Sequence, residues 1–128
     1  HVAMRHGIPA SLRHTGTGKI FAAYRAPAEV AAALASEGLA GELEDPAFAA
    51  ELDEIRQTGI TQVRDELLPG ISAMAVPVFD GFGRLVLAIA AIGPSARLDL
   101  SEGSEQVRAL REVGQALSQR LGAVNARP

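Results

Sequence analysis

Two neighbouring stretches of the chain are apolar in both phases of a strand alternation. In Ile71–Phe79, Ile71, Ala73 and Ala75 alternate with Ser72, Met74 and Val76. In Arg84–Ile92, Leu85, Leu87 and Ile89 alternate with Val86, Ala88 and Ala90. The connection Asp80-Gly81-Phe82-Gly83 is a tight-turn sequence, and Gly93-Pro94 is a stop signal. The pattern predicts a β-hairpin with both faces covered. Pro77 cannot donate to a ladder, which predicts an edge position or a bulge there. Thr61–Arg64 reads as a further short strand. Two good strands and one short one make a poor sheet, so these strands need neighbours from elsewhere.

The other segments have helical periods. Residues 15–25 place Ile20, Phe21 and Tyr24 on one face, with Thr15 or Thr17 as cap. Gly16 and Gly18 sit at its entrance, where glycine implies a close approach of backbone to another element or a ligand. Free N–H groups at such a helix start suit an anion. Residues 26–37 form a helix opened by Pro27 and ended by Gly38. Residues 46–57 form another, capped by Asp45, with Phe48, Leu52 and Ile55 on one stripe and Gly59 after it. The longest helix is expected over 101–124, capped by Ser101. Its stripe is Val107, Leu110, Val113 or Gly114, Leu117, Leu121 and Val124. Its other side, with Arg108, Arg111, Arg120, Glu105 and Glu112, reads as a solvated face. Residues 1–13 read as an extended entry segment.

Composition narrows the chemistry. A length of 128 residues fits one domain. With 48% apolar but only 4% aromatic residues, the core must be built from Ala, Val, Leu and Ile. A formal charge of −3 gives no bulk attraction to nucleic acid. The absence of cysteine excludes disulfides, thiol catalysis and thiolate metal sites. No apolar run is long enough for a membrane helix. Thr17-Gly18-Lys19 looks like part of a phosphate loop, but Arg13 and Ile20 occupy the positions where that motif needs Gly and Ser or Thr. Asp65 and Glu66 are adjacent and would point to opposite sides of a strand, which reads as two solvated carboxylates rather than an acid–base pair. His6 and His14 have no metal-ligand spacing. No serine lies in a nucleophile elbow. No catalytic residue and no cofactor or metal is expected; the residues point away from an enzyme.

The order of TGTGKIFAAYRAPAEVAAAL and GITQVRDELLPGISAMAVPVFDGFGRLVLAIAAIGPSARL resembles the effector-binding domain of IclR-type bacterial transcriptional regulators. The matching features are Thr15, Gly18 and Lys19 at a helix start and Gly59-Ile60 before the acidic Asp65-Glu66. Pro69-Gly70, Pro77–Asp80, Gly83-Arg84, and Gly93-Pro94 with Arg97 complete the pattern. The resemblance covers nearly the whole chain and rests on order and spacing rather than on one motif. It implies an α+β, GAF-like fold: a curved antiparallel sheet with helices packed on it. The family's domain begins several tens of residues before the position of His1. Residues 1–128 are therefore expected to be one N-terminally truncated effector domain, with the early strands and the DNA-binding domain missing.

The resemblance also implies a function. A small organic effector, an aromatic or aliphatic acid, alters how an N-terminal winged helix-turn-helix domain holds operator DNA, in a cytoplasmic homodimer or homotetramer without membrane contact. Family pocket positions fall on Gly16, Thr17 and Gly18, then on Val63, Ala73, Ala90 and Ile92, with Val2 as a weaker match. Where relatives carry an acidic residue, Cys or Ser, this chain has Val63, Ala73, Ala90 and Ile92. The expected pocket is an apolar wall from the hairpin with one polar end at the Gly16–Gly18 amides. The alternative is a dimerisation or interaction module whose pocket has degenerated.

Overall fold

A computed structural model describes residues 11–66 and 68–123. Four helices and three strands follow in the order α1 (Gly16–Tyr24), α2 (Pro27–Ser36), a 3-10 turn (Glu42–Glu44), α3 (Pro46–Thr58), β1 (Thr61–Arg64), β2 (Ile71–Phe79), β3 (Leu85–Pro94) and α4 (Glu105–Arg120). The architecture is α+β, as expected. Among the described residues the sheet is antiparallel in the order β1-β2-β3. The expected entry segment up to residue 10, with Val2, lies outside the described residues, as does Val124.

Local signals set the element ends. Asp45 caps α3 by accepting from the Ala47 N–H, and Gly59 closes it at φ 72°, a conformation that costs glycine little. α4 starts later than its sequence pattern indicates. Ser101 donates its N–H and hydroxyl to Asp99, whereas Ser104 accepts from the Val107 N–H and is the cap. Arg111 is not solvated either, because its guanidinium donates to the Thr58 carbonyl.

The two faces of β2 build two cores, as strand alternation requires. Ala75 and Phe79 join Ile20, Leu34, Phe48 and Leu52 under α1, α2 and α3. Met74 and Val76 join Ile60, Val107 and Leu110 under α4. α4 comes close because Gly114 has no side chain: a Cβ there would lie 2.8 Å from Val76 Cγ2. Ser118, buried in α4, accepts from the Phe79 N–H at 3.0 Å, next to a register shift between Val78 and Phe79. Pro77 fits this locale. β1 pairs only with Ser72–Ala75, so β2 at Pro77 has β3 as its one strand neighbour among the described residues.

The expectation that both hairpin strands are covered holds for β2 and fails for β3. Val86, Leu87 and Ile92 are 51%, 41% and 56% exposed. Alternating apolar residues show which positions could be buried, not whether an element arrives to bury them.

Two glycines seat α1. A Cβ on Gly18 would lie 2.0 Å from the Ser11 carbonyl oxygen and 2.7 Å from Leu12 Cα, where the chain crosses the helix start. A Cβ on Gly16 would meet Ala75 Cβ at 3.5 Å and Thr61 Cγ2 at 3.6 Å, which is ordinary contact. Gly18→Ala must therefore move backbone, and a loss of about 3 kcal/mol is expected, at the upper end of overpacking costs. Gly16→Ala fits and gains helix propensity, so its stability is expected to stay level or rise by up to about 1 kcal/mol. Urea denaturation of both variants checks this; equal losses would show that the close approach at Gly18 does not constrain the fold.

Candidate effector site

The candidate site is one face of the sheet beside the first turn of α1. Register brings the expected residues together. Val63 pairs with Ala73 and Ala73 with Ile92, a single row across three strands. Ala90 lies in the next row, paired with Ala75. Gly16 sits over Ala75, so the row of Val63, Ala73 and Ile92 lies on the α1 side of the sheet. Val63 is buried at 4% exposure and Ala73 is half-buried, while Ala90 and Ile92 are exposed. The row of Val63, Ala73 and Ile92 carries no polar side chain, and the next row adds one, the buried Thr61.

Thr17 opens onto an adjoining groove of about 360 Å³, shared with Phe21, Arg25 and residues 85–88 of β3. Ala88, Ala90 and Ile92 are alternate residues of β3, so this groove leads along the strand into the open row. Arg25 borders the groove but is already engaged, donating to the Leu85 carbonyl and pairing with Glu29. A second, larger concavity of about 690 Å³ lies by Gln62, Arg64 and residues 95–101 and holds none of the expected residues.

Gly18 departs from its expected part. Its N–H donates to the Thr15 hydroxyl at 3.0 Å, and its missing Cβ makes room for Ser11 and Leu12. The cap and the chain crossing use both of its features, which leaves Gly16 and Thr17 as the expected residues at the start of the turn. Val2 lies outside the described residues.

What sequence reasoning missed is the burial of Lys19, which is 1% exposed. Its Nζ donates to Glu51 Oε2 at 2.8 Å and to Glu66 Oε2 at 3.0 Å. Arg13 approaches the same carboxylates, 3.4 Å from Glu51 and 3.9 Å from Glu66, and also pairs with Glu42. His14 Nδ1 is 3.5 Å from Glu66. Burial raises the Glu66 pKa and is the largest single influence. The Lys19 hydrogen bond and charge, with His14 and Arg13, outweigh it together and hold the carboxyl below its usual range. A signal for Lys19 was present: it is the one lysine against eleven arginines, and it lies between Gly16 and Ile20 on the inward stripe of α1.

Asp65 and Glu66 are exposed loop residues, as expected, but each carboxylate has partners that the sequence did not show. Glu66 turns to Lys19. Asp65, at φ 58°, accepts from the Gly70 N–H and the Ser95 hydroxyl, and Ser72 shares a hydrogen bond with Ser95. The two carboxylates thus hold opposite sides of the β1–β2 loop. Among the described residues, no group of three potential ligands could hold a metal ion, and no helix is long and apolar enough to cross a membrane.

Comparison with known proteins gives the family of this chain. Residues 1–119 match the family model for the bacterial transcriptional regulator IclR C-terminal domain. The chain is 39% identical over 79 residues to the DNA-binding transcriptional repressor YiaJ of Escherichia coli (strain K12), covering 62% of this chain and 28% of that protein. It is 28% identical over 118 residues to the HTH-type transcriptional regulator KdgR of Dickeya chrysanthemi, covering 87% of this chain and 38% of that one. The crystal structure of Pseudomonas aeruginosa HmgR superposes with a TM-score of 0.85 at 33% identity, over 98% of this chain and 51% of HmgR. The chain thus spans well under half the length of these two sequence relatives and about half of the solved one. YiaJ and KdgR are regulators of transcription, not enzymes, and the chain belongs to the IclR family of bacterial transcriptional regulators, matching its C-terminal domain.

Proposed function

We propose that this domain binds a small, mostly apolar organic acid against the Val63–Ala73–Ile92 row. In the whole cytoplasmic regulator, occupancy would change how an N-terminal winged helix-turn-helix domain, outside residues 1–128, holds operator DNA. The observation that carries the proposal is the placement of Gly16 over Ala75, whose strand partner Ala90 stands open next to the open Ile92 of the adjoining row, with Thr17 in the groove that runs along β3 towards both. An apolar wall with few polar groups at one end is the usual composition of a small-molecule site. Here the wall would take an aromatic ring or an alkyl chain. The Thr17 hydroxyl and the first amides of α1 would take one carboxylate.

Exposed Val86, Leu87 and Ile92 on β3 support a second reading, in which this strand contributes to a homodimer or homotetramer contact. The two readings make different demands, because only the first requires stabilisation by a small acid at constant protein concentration.

A thermal-shift panel of benzoate, phenylacetate, octanoate and succinate separates them. A ligand at 100 times its Kd adds about 2.7 kcal/mol, a rise of roughly 10 °C for a chain of this length. Benzoate, phenylacetate or octanoate is expected to raise Tm, and succinate to leave it unchanged. Stabilisation by succinate alone would contradict the apolar site, and no response to any of the four would favour the interaction module. Calorimetry on Thr17→Val with the best binder is expected to show a three- to ten-fold weaker Kd, the equivalent of about one hydrogen bond. Unchanged affinity would remove Thr17 from the site.

A further inference from the structure

Lys19 is the only described charged side chain that is almost wholly buried. A buried ammonium is tolerated when carboxylates replace its water, and it becomes costly when one of them is lost. Here the replacements come from two places. Glu51 belongs to α3, and Glu66 follows β1 by two residues, at the start of the β1–β2 loop. The carboxylates themselves are 33% and 34% exposed, so the clasp is dry at the lysine and wet at its outer rim.

We infer that Lys19 is a positioning residue of the effector site: its pairing with Glu66 sets the gap between the first turn of α1 and the ends of the strands that carry Val63, Ala73 and Ile92. The consequence for ligand binding rests on the effector reading above; the mechanical claim does not.

The connections on each side of the clasp are short. Lys19 lies two residues beyond Thr17 and three beyond Gly16 on one rigid helix. Glu66 lies three residues beyond Val63. Its neighbour Asp65 accepts from Gly70, which precedes β2, and from Ser95, which follows β3. The Ser95 N–H in turn donates to the Gly70 carbonyl at 2.7 Å. Whatever holds Glu66 therefore holds the loop that leads to Ala73 and the strand end beside Ile92. Glu51 ties Lys19 to α3, behind the site, and reaches the Glu66 side only through the shared Lys19 and Arg13.

The charged groups facing Glu66 are Lys19 from α1 and Arg13 and His14 from the segment before it; those facing Lys19 are Glu51 and Glu66. A carboxylate whose folded pKa is depressed contributes fully above its unfolded pKa and loses that contribution as pH falls through the folded value. The contribution of Glu66 to the clasp is therefore lost as pH falls.

Glu66→Gln and Glu51→Gln each remove one carboxylate from Lys19, so comparing them separates positioning from general stability. Two measurements apply to the wild-type chain and both variants: amide hydrogen exchange over residues 68–73, and the Kd of benzoate between pH 7 and pH 3.5. Glu66→Gln is expected to speed exchange over 68–73 at least ten-fold, and Glu51→Gln to leave it within about two-fold of wild type. Benzoate affinity is expected to fall about ten-fold in Glu66→Gln. In the wild type it is expected to fall with acid beyond the loss due to benzoate protonation, a fall that Glu66→Gln lacks. Equal exchange in the two variants, or wild-type exchange in Glu66→Gln, overturns the inference. If the wild type does not bind benzoate, the exchange arm still decides the clasp, and the failure belongs to the effector reading.

Discussion

The fold depends on how closely the first turn of α1 is packed between two stretches of backbone. On one side the chain at Ser11–Leu12 crosses where a Gly18 side chain would be; on the other, Gly16 rests on Ala75 and Thr61. Two glycines in one helical turn are costly in propensity. Their return is proximity: the helix start is brought against the centre of the sheet, and Thr15 closes the turn by accepting from Gly18. The remaining geometry follows from this seating. Ile20 and Ala23 enter the core, Tyr24 packs edge-on against Phe79 at 5.1 Å, and Lys19 is carried inward where only carboxylates can replace its water.

This seating would also make the proposed site at low cost in new structure. The row of Val63, Ala73 and Ile92 needs no loop to shape it, because register alone aligns the three residues. The polar end needs no charged side chain, because a helix start supplies N–H groups and the positive end of a dipole. The charged residues nearby have a different role. Lys19, Glu51 and Glu66 satisfy one another beside the site and leave it apolar. A ligand bound there would meet hydrocarbon and one turn of backbone, with the ionic clasp holding the walls from behind.

Much of this was readable from residue order, and the exceptions have physical causes. The hairpin strand Ile71–Phe79 and the helix start at Pro46 follow from apolar runs bounded by Gly, Asp and Pro, and the structure places them there. The start of α4 was not readable, because Ser101 and Ser104 are equally good caps until Asp99 engages one of them. The exposure of β3 was hidden by its composition, since Val86 and Leu87 look buried in any alternation count. The co-location of Val63, Ala73, Ala90 and Ile92 came through resemblance to a family, and register supports it. The burial of Lys19 depends on partners 32 and 47 residues away, which no local pattern reports. The same holds for Gly18, whose reason is a chain crossing rather than a ligand.

The central claim is that a small acid binds on the α1 side of the sheet, between the helix start and the Val63–Ala73–Ile92 row. A titration of the isotope-labelled chain with phenylacetate, followed by amide and methyl chemical shifts, tests it most directly. The account predicts the largest shifts at Gly16, Thr17, Val63, Ala73, Ala90 and Ile92, with Met74 and Val107 on the far face little changed. Shifts concentrated at Arg64, Arg97 and Ser101, in the larger groove on that far face, would contradict it.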